Sequence, residues 1–377
     1  MSTIASSSTL RRDTTPISAM FVMISAAQDH EKSAGIRTVD KEFSFPATGK
    51  SGGVFTSALL QVLNEISKPT AREETISWMQ FMERLRTIIH EKGFKNQVPQ
   101  LTCSVEMNVH EPFTIFPKFD DTTKGDNKKK KNKQQRRQRA ILIAINYVDQ
   151  PPAWRLTGCH NDLKNVKSYL TEHHGFDERD MAILMDDGKH APPTKANILM
   201  AFELMTMHSD PGDVVFLHYS GHGQQYEDKD GDEIDGKDES MLPCDFTKNG
   251  PLLDDHVYEK LVLPMKKGVH VVSLVDSCHS GTVLDLPFVI QVGEKHMRRS
   301  TRKLLRGLTK EEQEADDDFD SKLLTDRQVE MRKLSALPFR ESFSASTRQL
   351  SDSKADPTVD HIASLLVLHS DTNIWSS

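Results

Sequence analysis

Two stretches, Val214–Gly223 (VVFLHYSGHG) and Val269–Gly281 (VHVVSLVDSCHSG), decide how this chain folds. Each is an apolar, β-branched run that stops in small residues, the first delivering His222 and the second Cys278. A strand buried on both faces reads as a continuous hydrophobic run, and open α/β sheets place their chemistry at the carboxyl ends of such strands. Two neighbouring strands of this kind present an imidazole and a thiol at one sheet edge. That pairing suits a cysteine nucleophile, because the thiolate attacks and a nearby histidine takes or holds its proton. A lone cysteine or histidine is more often a buried structural residue. Here both stand at strand ends in glycine-containing turns.

The surrounding sequence extends the sheet. Residues 140–147 (AILIAINY) predict a strand, followed by a helix over Gly158–His174 in which Leu163, Val166, Tyr169 and Leu170 fall at helical spacing. A strand at Met181–Met185, a helix at Thr194–His208, the histidine strand, a helix at Asp254–Met265 and the cysteine strand complete the series. Strands alternating with helices in this way mean βαβ units and a mostly parallel sheet, an α/β fold. Upstream, Ala19–Ser25 reads as another buried strand. Two amphipathic helices follow, one through Phe55, Leu59, Val62, Leu63 and Ile66, the other through Trp78, Phe81, Met82, Leu85, Ile88 and Ile89, before a short strand near Gln100–Val105. This first part is too small for an α/β domain of its own and reads as a piece of sheet needing a partner.

Bulk properties narrow the class. With 377 residues and 27% of them charged, the chain can form one sizeable α/β core with solvated appendages. A net charge of −7 argues against a nucleic-acid partner. The four cysteines (Cys103, Cys159, Cys244, Cys278) show neither a disulfide framework nor structural-zinc spacing, so a reducing compartment is expected. No run of eighteen apolar residues is present, and the Ser/Thr-rich start with Arg11 and Arg12 lacks the apolar core of a secretory signal. The expected setting is therefore cytoplasmic and away from membranes, an organellar transit peptide remaining an open alternative. Blocks of like charge, KKKKNKQQRRQR within Lys124–Arg139, RRSTRK at Arg298–Lys303 and the acidic Glu311–Asp320, are expected to be solvated. A charged helix is expected around Leu304–Lys333. The apolar run Ile362–Leu368 is too isolated to assign.

The separation of His222 from Cys278 is close to the roughly 50 residues found between histidine and cysteine in caspases. Ser220-Gly221-His222-Gly223 and Asp276-Ser277-Cys278-His279-Ser280-Gly281 resemble the two catalytic signatures of metacaspases, caspase-like cysteine peptidases. In most of that family a smaller region with a strand, a glycine-rich bend and two helices follows the catalytic region. Here the segments ISAAQDHEKSAG, GGVFTSALLQVL, ISWMQFMERLR and QLTCSVEM, within Ala19–Phe116, resemble that smaller region but come first, as in type III metacaspases. The resemblance implies a caspase-like, mostly parallel sheet flanked by helices and built in permuted order. The expected organisation is a disordered start (1–17), a small-subunit-like region (18–117), a basic linker (118–138), a catalytic region (139–290) and a charged, mobile tail (291–377). Swapping the order is harmless where the connection is long enough, since a sheet is fixed by its strand neighbours and not by chain order. A linker of about twenty residues reaches up to roughly 65 Å when extended.

Asp162 at the start of its helix and Asp276 just before the cysteine are expected at the carboxyl edge of the sheet. Two carboxylates held close repel one another unless they share a cation, which an Arg or Lys side chain of a substrate supplies. The simpler readings are a carboxylate favoured by the helix dipole at Asp162 and a strand-end cap at Asp276. By resemblance, Cys159, Asp162, Ser220 and Asp276 match the metacaspase pocket for a basic residue. Where relatives have Gly-Cys and Ser-Ala-Asp, however, this chain has Ala26-Ala27 and Ser33-Ala34-Gly35, so one possible pocket carboxylate is missing. An acid-rich loop begins at Asp228. An EF-hand reading of it fails because Glu233 stands where that loop demands glycine, yet hard oxygen ligands at this density suit Ca²⁺. The resemblance implies a calcium site on Asp238, Asp254, Asp255 and Asp285.

The expected reaction has Cys278 attacking the carbonyl to form a thioester, His222 protonating the leaving amine and then activating water, and the backbone N–H groups of Gly223 and Cys278 stabilising the oxyanion. His279 is read as structural, and no third member of a triad is evident. The expected partners are protein or peptide substrates with Arg or Lys before the scissile bond, acted on by a monomer. Two alternatives stay open: a non-catalytic calcium-responsive scaffold, and a caspase- or legumain-like peptidase of other specificity. Cys159 and Cys244 allow redox control of the site. The basic tracts are candidate autoprocessing sites, but in the permuted order no chain runs directly from the cysteine strand into the small region, so cleavage there is not an obvious switch. The full-length, uncut molecule is expected to be active. A variant with every Lys and Arg of 128–139 and 298–306 replaced should therefore keep peptidase activity, and its complete loss would refute this.

Overall fold

A computed structural model describes residues 17–27, 33–36, 38–47, 49–67, 75–117, 136–227, 236–291, 298–299 and 337–353. Its centre is an eight-stranded sheet. The histidine strand Val214–Ser220 lies between Gln138–Ala144 and the cysteine strand His270–Asp276, parallel to both. Met181–Met185 extends the parallel part on the outer side of Gln138–Ala144. On the other side, Met20–Ser25 runs parallel to the cysteine strand, with Met20 opposite His270 and Ser25 opposite Val275. The remaining strands, Gln100–Cys103, Phe288–Gln291 and Arg298–Arg299, add antiparallel to that edge. The first part of the chain thus completes the sheet begun by the last, as the permuted order implies.

Each central strand is apolar throughout because both of its faces are covered. Along the histidine strand Val214 and Phe216 join one core, Val215, Leu217 and Tyr219 the other. Helices Val54–Ile66, Trp78–Glu91 and Cys159–His174 close the first core, and Lys195–His208 closes the second. Their ends carry ordinary stop and start chemistry. Ser77 and Gln80 form a capping box, Thr194 accepts from the Asn197 N–H at 3.2 Å, and Gly175 ends its helix in the left-handed conformation. At the amino edge of the sheet the buried Arg139 guanidinium donates to Asp213 at 2.7 Å, and the Arg137 N–H donates to the same carboxylate at 2.8 Å. This clasp registers the strand that leaves the linker against the histidine strand.

Four expectations need correction. The strand placed at 140–147 ends at Ala144, because the Asn146 and Val148 N–H groups turn to the Asp186 carboxylate and Tyr147 enters the left-handed region at φ 56°. The helix placed at Asp254–Met265 is a single α-turn, Asp254–Val257, continued by a π-turn, Tyr258–Val262. Within the acidic loop, Gly223–Glu227 and Lys237–Met241 form a hairpin joined by Leu252–Leu253, which the charge density hid. The tail is not simply charged and mobile: Arg298–Arg299 pair into the sheet, and Phe339–Ser353 is a helix packed on Lys195–His208. That helix inserts Phe339 and Phe343, one turn apart and almost wholly buried, into the second core. The helix expected around Leu304–Lys333 and the run Ile362–Leu368 lie outside the described residues, as do residues 1–16 and 118–135. Among the described residues no helix is long and apolar enough to cross a membrane.

Emptying a fully buried phenylalanine site removes both transfer energy and packing. Phe339→Ala is expected to lower the unfolding free energy by about 3 kcal/mol, read from urea denaturation. A variant as stable as the parent would show that the tail helix does not belong to the core.

Candidate active site

The strand order fixes what meets at the carboxyl edge. From one side to the other lie the segment after Met20–Ser25, then Cys278, then His222, then the loop after Gln138–Ala144. The two central turns touch: a Cβ on Gly223 would collide with the Cys278 carbonyl oxygen, so only glycine lets the backbones close. The Cys278 thiol is half-buried and reaches the Ser33 carbonyl at 3.9 Å. Directly after it, His279 adopts φ 50°, a left-handed conformation costly for a side chain with a Cβ and suited to a sharp bend. The loop beyond is gripped by the small region, with Gln100 Nε2 donating to the Gly281 carbonyl at 3.0 Å and Ser280 Oγ to the Ala27 carbonyl at 3.4 Å.

His222 is held at three points. Its backbone N–H donates to Tyr147 Oη at 2.8 Å, and its carbonyl accepts from Tyr219 Oη at 2.7 Å and from the Leu242 N–H at 3.1 Å. Its ring Nε2 lies 2.8 Å from the Trp154 carbonyl oxygen. A carbonyl only accepts, so Nε2 carries the proton in the neutral ring and Nδ1 is the basic atom. Partial burial pushes the imidazole below its ordinary pKa, and the Trp154 carbonyl opposes this in part. A group that orients the imidazole, which the sequence did not reveal, is therefore present as a main-chain oxygen. Its role, fixing tautomer and ring, is the one a carboxylate plays in other nucleophile–histidine sites.

Beneath the two turns, Asp162 and Asp276 converge on Gly53. A Cβ there would collide with Asp276 Oδ2 and lie 3.2 Å from Asp162 Oδ2. The Gly53 N–H donates to both Asp162 oxygens at 2.9 Å, and Ser220 Oγ donates to Asp162 Oδ2 at 3.0 Å. Asp276 accepts from Ser33 Oγ at 2.6 Å, Thr56 Oγ1 at 2.7 Å and the Thr56 N–H at 3.1 Å. Burial and the neighbouring Asp276 hold the Asp162 carboxyl well above the usual range, and burial raises Asp276 too. The simpler readings of a lone helix-end carboxylate and a strand cap do not account for this convergence. Cys159 opens the helix beside them, its N–H donating to Asn146 Oδ1 at 3.2 Å. Burial and the charges of Asp162 and Asp276 push its thiol well up, and burial drives Cys244 to about 12. Neither thiol is poised as a reactive thiolate, which opposes redox control through them.

Of the acidic residues expected to bind calcium, Asp254 interacts with Asp255 and Asp285, the last in the loop after Cys278, and Asp238 stands next to Glu239 on the strand Lys237–Met241. Asp238, Asp254 and Asp285 are buried and Asp255 is half-buried. Burial, then Asp285, Glu239 and Asp255, raise the Asp254 carboxyl well above its usual range. Glu239, part of the same acidic stretch but not among the expected ligands, is 1% exposed and ties the cluster together. Its N–H donates to Asp254 Oδ2 at 2.9 Å, and its carboxylate accepts from Thr282 Oγ1 at 2.6 Å and Gln225 Nε2 at 2.9 Å. These donors are all oxygen, mostly buried and repelling around Asp254, a chemistry that fits a hard cation. Among the described residues no three His, Cys, Asp or Glu side chains are already drawn together as a ligand set. Asp228–Asp235 lie outside the described residues.

A caspase-like sheet, a histidine and a cysteine on adjoining strand ends and a buried carboxylate pair define a site of the cysteine-peptidase kind. Comparison with known proteins agrees. The metacaspase peptidase C14 domain matches residues 138–287 and the caspase domain matches residues 3–110. The chain is 41% identical over 269 residues to Metacaspase III c of the diatom Phaeodactylum tricornutum, covering 71% of this chain and 74% of that protein. It is 47% identical over 155 residues to Metacaspase-1 of Eremothecium gossypii, covering 40% of this chain and 34% of that protein. With Metacaspase-1 of Saccharomyces cerevisiae the identity is 37% over 212 residues, covering 55% of this chain and 48% of the yeast protein. The chain thus spans between a third and a half of those two fungal relatives. It belongs to the type III metacaspases, cysteine peptidases of the caspase-like clan.

Raised carboxyl pKa values carry a defined linkage. A buried Asp that prefers its proton stabilises the fold fully below the ordinary Asp range near about 4, and that contribution is lost as pH rises toward the folded value. Asp162→Asn mimics the protonated form and keeps an acceptor for the Gly53 N–H. Its unfolding midpoint relative to the parent is expected to rise as pH is raised from about 4 to about 8. A difference that stays constant over that range would mean that Asp162 is not held protonated.

Proposed function

We propose that this chain is a Ca²⁺-dependent cysteine endopeptidase that cleaves after Arg or Lys, with Cys278 as nucleophile and His222 as its acid–base partner. The observation that carries the specificity is the convergence of Asp162 and Asp276 on Gly53 below the cysteine turn. Two buried carboxyls in one pocket are frustrated without a cation. A guanidinium or ammonium group entering there relieves the repulsion and lets both ionise, so the pocket favours the charge that a caspase's aspartate pocket would reject. Ser33, Thr56 and Gly53 hold the carboxyls at fixed places, so the acceptor oxygens are preorganised and the missing third carboxylate is not needed to set the sign of the charge they favour.

The chemistry follows from the same edge. Cys278 Sγ attacks the carbonyl carbon. The carbonyl oxygen takes the developing charge toward the N–H groups of Gly223 and Cys278. His222 Nδ1, the basic atom of a ring fixed through Trp154, takes the proton of the Cys278 thiol as Sγ attacks and delivers it to the departing amine. A water then transfers its proton to His222 as it cleaves the thioester, and the thiolate returns. Asp238, Asp254, Asp255 and Asp285 would hold Ca²⁺, with Glu239 bracing them. When bound, the ion supplies positive charge that draws these carboxylates together. Because Glu239 accepts from Thr282 in the loop after Cys278, ordering the cluster also orders that loop.

The test is hydrolysis of fluorogenic peptides ending in Arg, Lys, Asp or Asn, with Ca²⁺ and with excess chelator, beside Cys278→Ala. The expected outcome is turnover of the Arg and Lys peptides alone, loss of at least about a hundredfold in chelator, and none in Cys278→Ala. Asp162→Asn should lower kcat/KM for Arg peptides by about a hundredfold, the scale of a lost buried charge pair. Full activity in chelator would remove the calcium dependence. Preference for Asp or Asn would remove the basic specificity.

A further inference from the structure

The loop between the strand Gln138–Ala144 and the helix Cys159–His174 does more than lend a carbonyl to His222. It carries Trp154, whose indole is 37% exposed, a large apolar side chain left open beside a site otherwise lined by polar groups. The ring stands edge-on to the His222 imidazole, centroids 5.7 Å apart, and 5.0 Å from the half-buried ring of Phe246. Tyr147 closes the group from beneath, 4.6 Å from His222 and 6.1 Å from Phe246. The shelf is rigid. Asn146 and Val148 donate their N–H groups to the buried Asp186 at 2.9 and 3.0 Å, Gln150 Nε2 donates to the Cys244 carbonyl at 3.0 Å, and the Leu156 N–H donates to the Asn146 carbonyl at 3.0 Å.

Its place along the edge says what it meets. The carboxylate pocket lies beneath the two turns, where Asp162 and Asp276 meet Ser220, Gly53 and Ser33, whereas Trp154 meets His222 directly through its carbonyl and its ring. The residue before the scissile bond stays with the cysteine as the thioester, and the residue after it departs with the amine that His222 protonates. The departing residue therefore extends past His222 toward Trp154. We propose that Trp154 and Phe246 form the subsite for the side chain directly following the scissile bond and select a bulky apolar or aromatic residue there. This rests on His222 and Cys278 being the catalytic pair. Aromatic rings prefer tilted and edge-on contacts with another ring, and a half-open indole backed by a second ring offers such a face without rearrangement. An indole serving only to shield His222 would leave the leaving residue unread.

The experiment uses full-length protein and a set of internally quenched peptides alike except for the residue after Arg, which is Phe, Leu, Ala or Asp. An Arg-aminocoumarin substrate, which has no such residue, is run in parallel. The parent is expected to prefer Phe and Leu over Asp by about tenfold or more in kcat/KM, the scale of filling or leaving empty an apolar pocket. In Trp154→Ala and, separately, Phe246→Ala that ratio should fall toward one. Being a ratio, it is read whatever the absolute rate, and Phe246→Ala serves if Trp154→Ala fails to fold. Aminocoumarin turnover with no preference among the four peptides, or a preference both variants keep, overturns the subsite alone. No turnover of any substrate by the parent, abolished catalysis being common to peptides and aminocoumarin, overturns the active-site reading and the subsite with it.

Discussion

The parallel pairing of Met20–Ser25 with His270–Asp276 is the constraint on which the rest of the molecule depends. It places the end of an early strand next to the end of a late one, and everything the small region does for the site follows from that contact. Ser33, Gly53 and Thr56 reach the two pocket carboxyls, while Ala27 and Gln100 hold the loop after the cysteine. These contacts span most of the folded chain in sequence, so their loop-closure cost is met only when both halves are folded. An isolated catalytic region would keep its cysteine and lose the groups that shape its pocket. Chain order is therefore free to change, but the pairing is not.

Much of this was legible in the sequence, for reasons that can be named residue by residue. A strand buried on both faces leaves an unbroken apolar run, so Val214–Ser220, His270–Asp276 and Met20–Ser25 announced themselves. The histidine strand and the turn after it hold two histidines, and only the glycines of the turn distinguished them. His218 is wholly buried, its pKa driven to about 3, and stays neutral in the core, whereas His222 stands past the strand end where the backbone opens. Asp162 and Asp276 were placed by their positions at a helix start and a strand end.

What was not legible falls into two kinds. Trp154 holds His222 through a main-chain oxygen, and a backbone atom leaves no mark in the choice of side chain. Tyr147 turns with a positive φ although nothing in its identity favours one, because its hydroxyl is held by His222 and Leu242 on elements far away in sequence. The second kind is masking by charge. The hairpin Gly223–Glu227 with Lys237–Met241 is flanked by acidic residues, and Phe339 and Phe343 sit in a tail of mostly charged and polar residues. In both places a few buried side chains outweigh a polar composition, since each wholly buried Phe stabilises the fold while charges left in water cost it little.

The cysteine loop lies between two buried groups of carboxyls that are held in different ways. On the side of the small region, Asp162 and Asp276 receive donors from four separate residues, so protonated or ionised they stay where they are. On the other side, Asp254 is pressed by Asp285, Glu239 and Asp255, and its hydrogen bonds come from the N–H groups of Glu239 and Asp255, its own neighbours in the cluster. In the proposed reading the first group, already held in place, answers to what enters from the substrate. The second, where Asp254 is pressed by its neighbours, answers in the same reading to the cation that arrives. Glu239 transmits the difference, because the carboxylate braced against the cluster is also the acceptor for Thr282, four residues beyond Cys278. In the proposed reading this makes the two cations unequal partners: the substrate's side chain is selected by a pocket already in place, whereas calcium acts by completing a loop that is not.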